Sequence, residues 1–265
     1  MKTAIFAHLP REFPWADRIL YFDTIDSTNT HAKQLAAAGA PHGTVLVAGR
    51  QTGGRGRMGR SFHSPADTGI YLSVILRPDC PAARLMHLTC AAAVAMCDAL
   101  QAVTGLRPGI KWTNDLVWGK KKLGGILTEL SLNADSSVAY AVVGIGINCA
   151  QQPEDFPEDI RQIATSLAMA AGKTPDRAAV AAAMITALNA MADTLLQDKD
   201  AMMAQYRRDC ITIGQAISVN QADSVRYGTA VDVDDAGALL VRFSDGSFQA
   251  VNSGEVSIRG MYGYI

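Results

Sequence analysis

Four arginines, Arg50, Arg55, Arg57 and Arg60, fall within eleven positions, and glycines interleave them in the run Gly54-Arg55-Gly56-Arg57-Met58-Gly59-Arg60. Planar guanidiniums grip carboxylate or phosphate oxygens two at a time, and glycines let main-chain amides come close to the same anion. The whole chain has a formal charge of only -1. The cluster therefore reads as a local site for a compact anion and not as one part of a basic surface.

Known glycine motifs nest in this run. Gly54-x-Gly56-x-x-Gly59 has the spacing of a dinucleotide fingerprint, and Gly54 to Ser61 nearly matches a phosphate loop with Arg60 in the lysine position. Both need a helix that starts at the last glycine and points its N-terminus at phosphate. Here Ser61-Phe62-His63-Ser64-Pro65 and Asp67-Thr68-Gly69 follow, which is loop chemistry. No kinase catalytic-loop or metal-binding signature follows either.

A second chemical segment is Lys111-Trp112-Thr113-Asn114-Asp115, followed by Lys120-Lys121-Lys122-Leu123-Gly124-Gly125-Ile126-Leu127. Asn114 offers an amide suited to a base edge, and Asp115 a carboxylate suited to Mg²⁺. Gly124-Gly125 inside a strand-like run marks close approach of a ligand or another backbone. Val143-Gly144-Ile145-Gly146-Ile147-Asn148 thins a strand in the same way and ends in a side-chain amide.

The 265 residues, 49% hydrophobic and with pI about 6.5, suffice for one large core and a small second one. The apolar start is interrupted too early for a secretory core, which makes the cytoplasm the expected location. Five scattered cysteines fit no disulfide framework or paired zinc pattern, and no histidine lies at metal-ligand spacing. No nucleophile, base and orienter set is visible, so the chemistry must rest on positioning and electrostatics.

These residues need elements to hold them. Ile19 to Thr24 reads as a strand after an irregular lead, and Asp26 to Thr30 supplies N-caps for a helix from His31 to Ala38. Strands at Val45 to Ala48 and Ile70 to Leu76 flank the glycine loop. Pro81 opens an Ala-rich core helix to about Val103. Ile110 to Trp112, Leu123 to Leu132 and Tyr140 to Cys149 read as neighbouring, mostly antiparallel strands, and Ala178 to Leu196 as a second core helix. From Gly214, five short runs split by Asp234-Asp235-Ala236-Gly237 and Ser244-Asp245-Gly246 turns describe a small β-barrel. The expected organisation is α+β, with a mixed, mostly antiparallel sheet domain over 1–211 and a small β-barrel domain over 212–265.

Taken in order, Ser27-Thr28-Asn29, Gln51 to Arg60, Lys111 to Asp115, Lys122 to Leu127 and Gly144 to Asn148 resemble the motifs of the biotin protein ligases. Gly237 to Arg259, with Ser253-Gly254-Glu255-Val256, is similar to that family's C-terminal barrel. Thr113 stands where family members often carry proline. About 18 residues precede the first strand, too few for the family's optional helix-turn-helix, so no DNA binding or repressor role is expected.

The resemblance implies a class II synthetase-like catalytic fold of the biotin and lipoyl ligases, plus a Src-homology-3-like barrel. It implies that biotin and MgATP form biotinyl-5'-AMP, which a lysine of a biotin carboxyl carrier domain then consumes. Ser27, Thr28, Asn29, Gln51, Arg55, Gly56, Arg57 and Lys122 would bind biotin. Arg57, Arg60, Phe62, Lys111, Asn114, Asp115 and Asn148 would face ATP or the adenylate, with Asp115 toward Mg²⁺. Arg55, Arg57 and Lys122 would carry catalysis, since the reaction drives a carboxylate against a phosphate. A homodimer is compatible with an exposed sheet edge, and no membrane contact is expected. The rival readings are a lipoyl or octanoyl transferase, a nucleic-acid-binding module and an inactive biotin-binding scaffold.

Overall fold

The computed structural model describes residues 1–221, 224–252 and 254–261, so Ser253 of the C-terminal motif lies outside the described residues. Seven strands form the main sheet: β1 (Ile19–Ile25), β2 (Thr44–Gln51), β3 (Gly69–Leu76), β4 (Gly109–Lys111), β5 (Asp115–Trp118), β6 (Lys121–Leu132) and β7 (Val138–Asn148). Their spatial order is β1-β2-β3-β7-β6-β5-β4, and only β1 and β2 run parallel. The helices are α1 (Lys2–His8), α2 (Thr28–Ala37), α3 (Leu88–Thr104), α4 (Glu158–Arg161), α5 (Leu167–Ala171), α6 (Arg177–Thr194) and α7 (Lys199–Asp209).

Both faces of the sheet centre are covered, which is why β2 and β3 read as near-continuous apolar runs. Val45, Val47, Leu72 and Val74 join the large core with α3 and α6, while Leu46 and Ile75 pack against Ala32 and Ala36 of α2. Ser73 breaks this alternation on the α2 side. It does so because the first turn of α2 presents Thr28 and Asn29 there, and its hydroxyl bonds both. Ser27 caps the helix by accepting from the Thr30 amide, which brings the start three residues ahead of the sequence expectation.

Several expectations change. The lead is not wholly irregular, since α1 forms there and buries Ile5 against the core. The core helix begins at Leu88, not Pro81, because a short 3₁₀ turn intervenes and buried His87 bonds the Leu195 carbonyl. Ala82–Thr104, the 3₁₀ turn and α3 together, is the one helical stretch among the described residues long and apolar enough to cross a membrane, and most of it is buried in the protein. β5 has only four residues. α7 buries just Met203 and Tyr206, too sparse a pattern to show in sequence.

The C-terminal strands are β8 (Ala216–Gln221), β9 (Ser224–Val233), β10 (Leu239–Phe243), β11 (Phe248–Val251) and β12 (Glu255–Ile258). They form one antiparallel sheet in the order β11-β10-β9-β8-β12. The expected barrel is corrected to an open small sheet, because no pairing joins its edges β11 and β12 among the described residues. Trp112 fastens this unit to the main domain: its backbone N–H donates to Thr212 Oγ1 and its indole N–H to the Gly237 carbonyl.

Candidate active site

A cleft with a cavity of about 140 Å³ opens over the face of β6 and β7. One wall is polar and uncharged. Thr28 and Asn29 come from the first turn of α2 and Gln51 from the end of β2. Gln51 Oε1 accepts from the Thr28 amide at 2.8 Å and the Thr28 hydroxyl at 3.1 Å, and its Nε2 donates to Ser64 Oγ at 3.0 Å. Asn29 Nδ2 donates to the Leu127 carbonyl and to Glu129, and its Oδ1 accepts from Ser73 at 2.6 Å. Gly144 lacks a side chain because Asn29 Oδ1 fills that space, 1.8 Å from where a Cβ would stand.

The opposite wall is charged. Arg55, Arg57, Arg60, Lys111 and Lys122 line the cleft against Asp115 and Glu255, five cations to two carboxylates. Lys122 Nζ lies 2.7 Å from Asp115 Oδ1, and its backbone is clamped by bonds to Ile163 and Thr165. Arg57 donates to Asn114 Oδ1 at 2.9 Å, while Asn114 Nδ2 donates to the Ile126 carbonyl. Arg60 pairs with Glu255 of β12, and that hydrogen bond holds the Glu255 carboxyl below its ordinary pKa. Burial pushes the Lys111 ammonium below its usual value, and the nearby Asp115 works against this. A partly desolvated cation is a strong attractor for an incoming anion.

Between the walls lies the glycine loop. It forms a 3₁₀ turn at Arg57–Gly59 and no helix, consistent with rejecting both nucleotide-loop motifs. Phe62 packs its ring over Gly146, where a Cβ would lie 2.5 Å from the ring edge, and it lines the cleft. Gly125 leaves room above Lys122 and Asp115, whereas Gly124 is required by the neighbouring β7 backbone.

The cleft thus gathers Ser27, Thr28, Asn29, Gln51, Arg55, Gly56, Arg57, Arg60, Phe62, Lys111, Asn114, Asp115 and Lys122. Asn148 is the exception and its placement is corrected. It is buried outside the cleft, donating to the Thr165 carbonyl at 2.9 Å and facing Gln151, so its amide pins a loop. Sequence reasoning missed Glu255 as a site residue, although it was quoted for the barrel; its signal was a lone carboxylate opening a C-terminal strand. Ser73, Glu129 and Lys33 were also missed. Ser73 alone left a trace, as the one polar residue in an apolar strand.

No group of three His, Cys, Asp or Glu side chains among the described residues could cage a metal. The carboxylates present, Asp115 held by Lys122 and Glu255 held by Arg60, suit Mg²⁺ that arrives on a triphosphate and keeps most of its ligands there.

Residues 21–148 match the Biotin/lipoate A/B protein ligase family, and residues 212–259 match the Biotin protein ligase C terminal domain. The chain is 38% identical over 229 residues to the Bacillus subtilis bifunctional ligase/repressor BirA, covering 86% of this chain and 70% of that protein. It is 34% identical over 236 residues to the biotin--[acetyl-CoA-carboxylase] ligase of Mycobacterium tuberculosis, covering 87% and 85%. The solved Aquifex aeolicus biotin protein ligase with biotin and ATP superposes with a TM-score of 0.75 at 28% identity, covering 91% of this chain and 98% of that one. The two family matches, the 38% and 34% identities over most of the chain and the shared fold agree: the chain belongs to the biotin protein ligase family.

Proposed function

We propose that this chain activates biotin with MgATP as biotinyl-5'-AMP and transfers the biotinyl group to a lysine of a biotin carboxyl carrier domain. The observation that carries the reading is the pairing of the two walls. Thr28, Asn29 and Gln51 offer fixed hydrogen-bonding groups to a neutral ring, while Arg55, Arg57 and Lys122 stand where a carboxylate would meet a phosphate.

In the first step a carboxylate oxygen attacks the α-phosphorus and pyrophosphate leaves. Two anions must approach, and the fixed cations offset their repulsion and the charge that grows on the phosphoryl oxygens. Arg57 is held by Asn114 and Lys122 by Asp115, so neither has far to move. Asp115, beside Lys122, would face Mg²⁺ carried on the nucleotide, which would offset phosphate charge. Arg60, Lys111 and Phe62 border the nucleotide side. In the second step a neutral lysine amine attacks the acyl carbon, AMP leaves, and the amine's proton is lost to solvent or to the departing phosphate.

The rest of β6 supports a partner contact. Beyond Ile126, whose N–H and C=O bond Asn114, it pairs among the described strands with β7 alone, leaving an edge with Leu130 and Leu132 exposed. A second copy of the chain would extend the sheet there as a homodimer. The five cysteines, all buried and unpaired, support a reducing, cytoplasmic setting.

The match to the biotin ligase C-terminal domain favours biotin over lipoate or octanoate. Incorporation of label from α-labelled ATP into a biotin adduct tests the reading, with lipoic acid in parallel. An adduct with biotin only, discharged as AMP by a carrier domain, is expected. An adduct with lipoic acid only, or none, overturns it.

A further inference from the structure

Beneath the neutral wall lies a chain of four oxygens: Asn29 Oδ1, Ser73 Oγ, Thr28 Oγ1 and Gln51 Oε1. The successive separations are 2.6, 2.8 and 3.1 Å. Both ends accept only. Gln51 must turn its carbonyl oxygen toward Thr28, because the Thr28 backbone N–H donates to it. Asn29 must turn its NH₂ the other way, because the groups on that side, the Leu127 carbonyl and the Glu129 carboxylate, are acceptors. Two hydroxyl protons therefore serve three oxygen–oxygen contacts. Whichever way Ser73 and Thr28 rotate, one contact has no proton, and lone pairs remain in a region where Ser73 is fully buried. The wall is short of donors and accepts an N–H from a ligand.

Of the two acceptors that fix this polarity, the Leu127 carbonyl is backbone and the other, Glu129, is a side chain outside the cleft lining. Glu129 Oε1 is 2.6 Å from Lys33 Nζ and Oε2 is 3.0 Å from Asn29 Nδ2. Burial alone would raise the Glu129 pKa, but hydrogen bonds from Lys33 and Asn29 outweigh it, and the side chain remains an anion with no proton to offer. We infer that Glu129, braced by Lys33, is a positioning residue for specificity: by locking the Asn29 amide it keeps the wall acceptor-rich, selecting a ring that presents N–H groups and rejecting acyl chains that have none. The inference rests on the biotin reading and names what enforces it.

The test compares binding of biotin with that of its two cyclic-carbamate isomers, in which one or the other ring N–H is replaced by oxygen. Each is titrated calorimetrically into the parent protein and into Glu129→Gln. The analogues keep the ring's shape but turn a donor into an acceptor. The parent should bind at least one isomer roughly 10²-fold more weakly than biotin, as expected for a buried site left with an unmet acceptor. A glutamine at 129 can present either end of its amide, so Asn29 keeps only the Leu127 carbonyl as an obligate acceptor, its orientation loosens and the gap should narrow at least several-fold. An equal loss for biotin and both isomers would show a merely structural role and overturn the inference. So would a gap under about tenfold in the parent, a result that does not depend on the variant folding. A parent that binds no biotin at all would overturn the ligase reading, and this inference with it.

Discussion

Replacing Gly144 with alanine tests how rigid the neutral wall is. The added Cβ would stand 1.8 Å from Asn29 Oδ1, with the other amide atoms within 2.9 Å, so the side chain must leave its seat. Gly144 sits in mid-sheet, paired with Ser73 on one side and Leu127 on the other, so its backbone cannot yield instead. Displacing Asn29 breaks two neutral hydrogen bonds, to Ser73 and Leu127, and one to the Glu129 carboxylate. Neutral bonds contribute about 1 kcal/mol each and one to a charged group about 2. Alanine recovers roughly 0.5–1 kcal/mol over glycine within a strand. The expected net loss is about 2–5 kcal/mol, read as a lower denaturation midpoint in urea at unchanged slope. The biotin KM should rise along with it. Gly125→Ala is the contrast, since its Cβ would meet Lys122 and Asp115 atoms only at 3.5–3.6 Å. Stability should hold there or rise by up to about 1 kcal/mol, while adenylation falls because the methyl sits over the Lys122–Asp115 ion pair. A Gly144→Ala protein as stable as the parent, with the parent's biotin KM, would refute the picture of Asn29 as a fixed wall.

Lys122→Ala should cut adenylate formation by roughly 10²- to 10³-fold, the usual loss for one electrostatic stabiliser; single-turnover adenylation at the parent's rate would remove Lys122 from the first step. Asn148→Ala should destabilise by about 1–3 kcal/mol, since the Thr165 carbonyl loses its buried donor, yet leave the ATP KM unchanged; a large rise in that KM would return Asn148 to the nucleotide site. His42 Nδ1 accepts from the Arg77 amide, and burial pushes the imidazole pKa below 6.5. The unfolded chain binds that proton more readily, so stability should be full above pH 6.5 and fall as pH drops through the lower folded value. His42→Gln should remove part of that slope in denaturation curves from pH 5 to 8, and an identical slope would show that His42 does not contribute.

Much of the cleft was legible in sequence because its residues sit in short segments whose types conflict with their surroundings. Arginines in a neutral chain, paired glycines in strands and an amide at a helix start each need an explanation. The main sheet was legible for a related reason: β2, β3 and β7 are largely buried on both faces, so their apolar runs are nearly continuous. What stayed hidden depends on contacts between distant segments. Nothing local distinguishes Asn148, which ends its strand facing Thr165, from an amide facing a ligand. Glu129 lies in an ordinary half-exposed strand, and only the approach of α2 puts Lys33 and Asn29 beside it. The small unit's open edges were equally invisible, because strand lengths and turns describe an open sheet as well as a barrel.

The two walls also answer different physical demands, and the fold supplies them from different materials. Recognising a neutral ring requires dipoles that do not reorient, and these are mounted on α2 and the centre of the sheet, where burial is nearly complete and every amide is anchored at both ends. Joining a carboxylate to a phosphate requires positive charge already in place, which does not have to reorganise as charge builds. Those cations stand on the glycine loop and on the strands β4 and β6, with Arg57, Arg60 and Lys122 held by Asn114, Glu255 and Asp115. The groups that hold Thr28, Asn29 and Gln51 are not those that hold Arg57, Arg60 and Lys122, so a change on one wall leaves the other seated. Specificity and turnover can therefore be changed separately by mutation: Glu129 and Gly144 should move the first with little change in the chemistry of a saturated enzyme, and Lys122 and Arg57 the second.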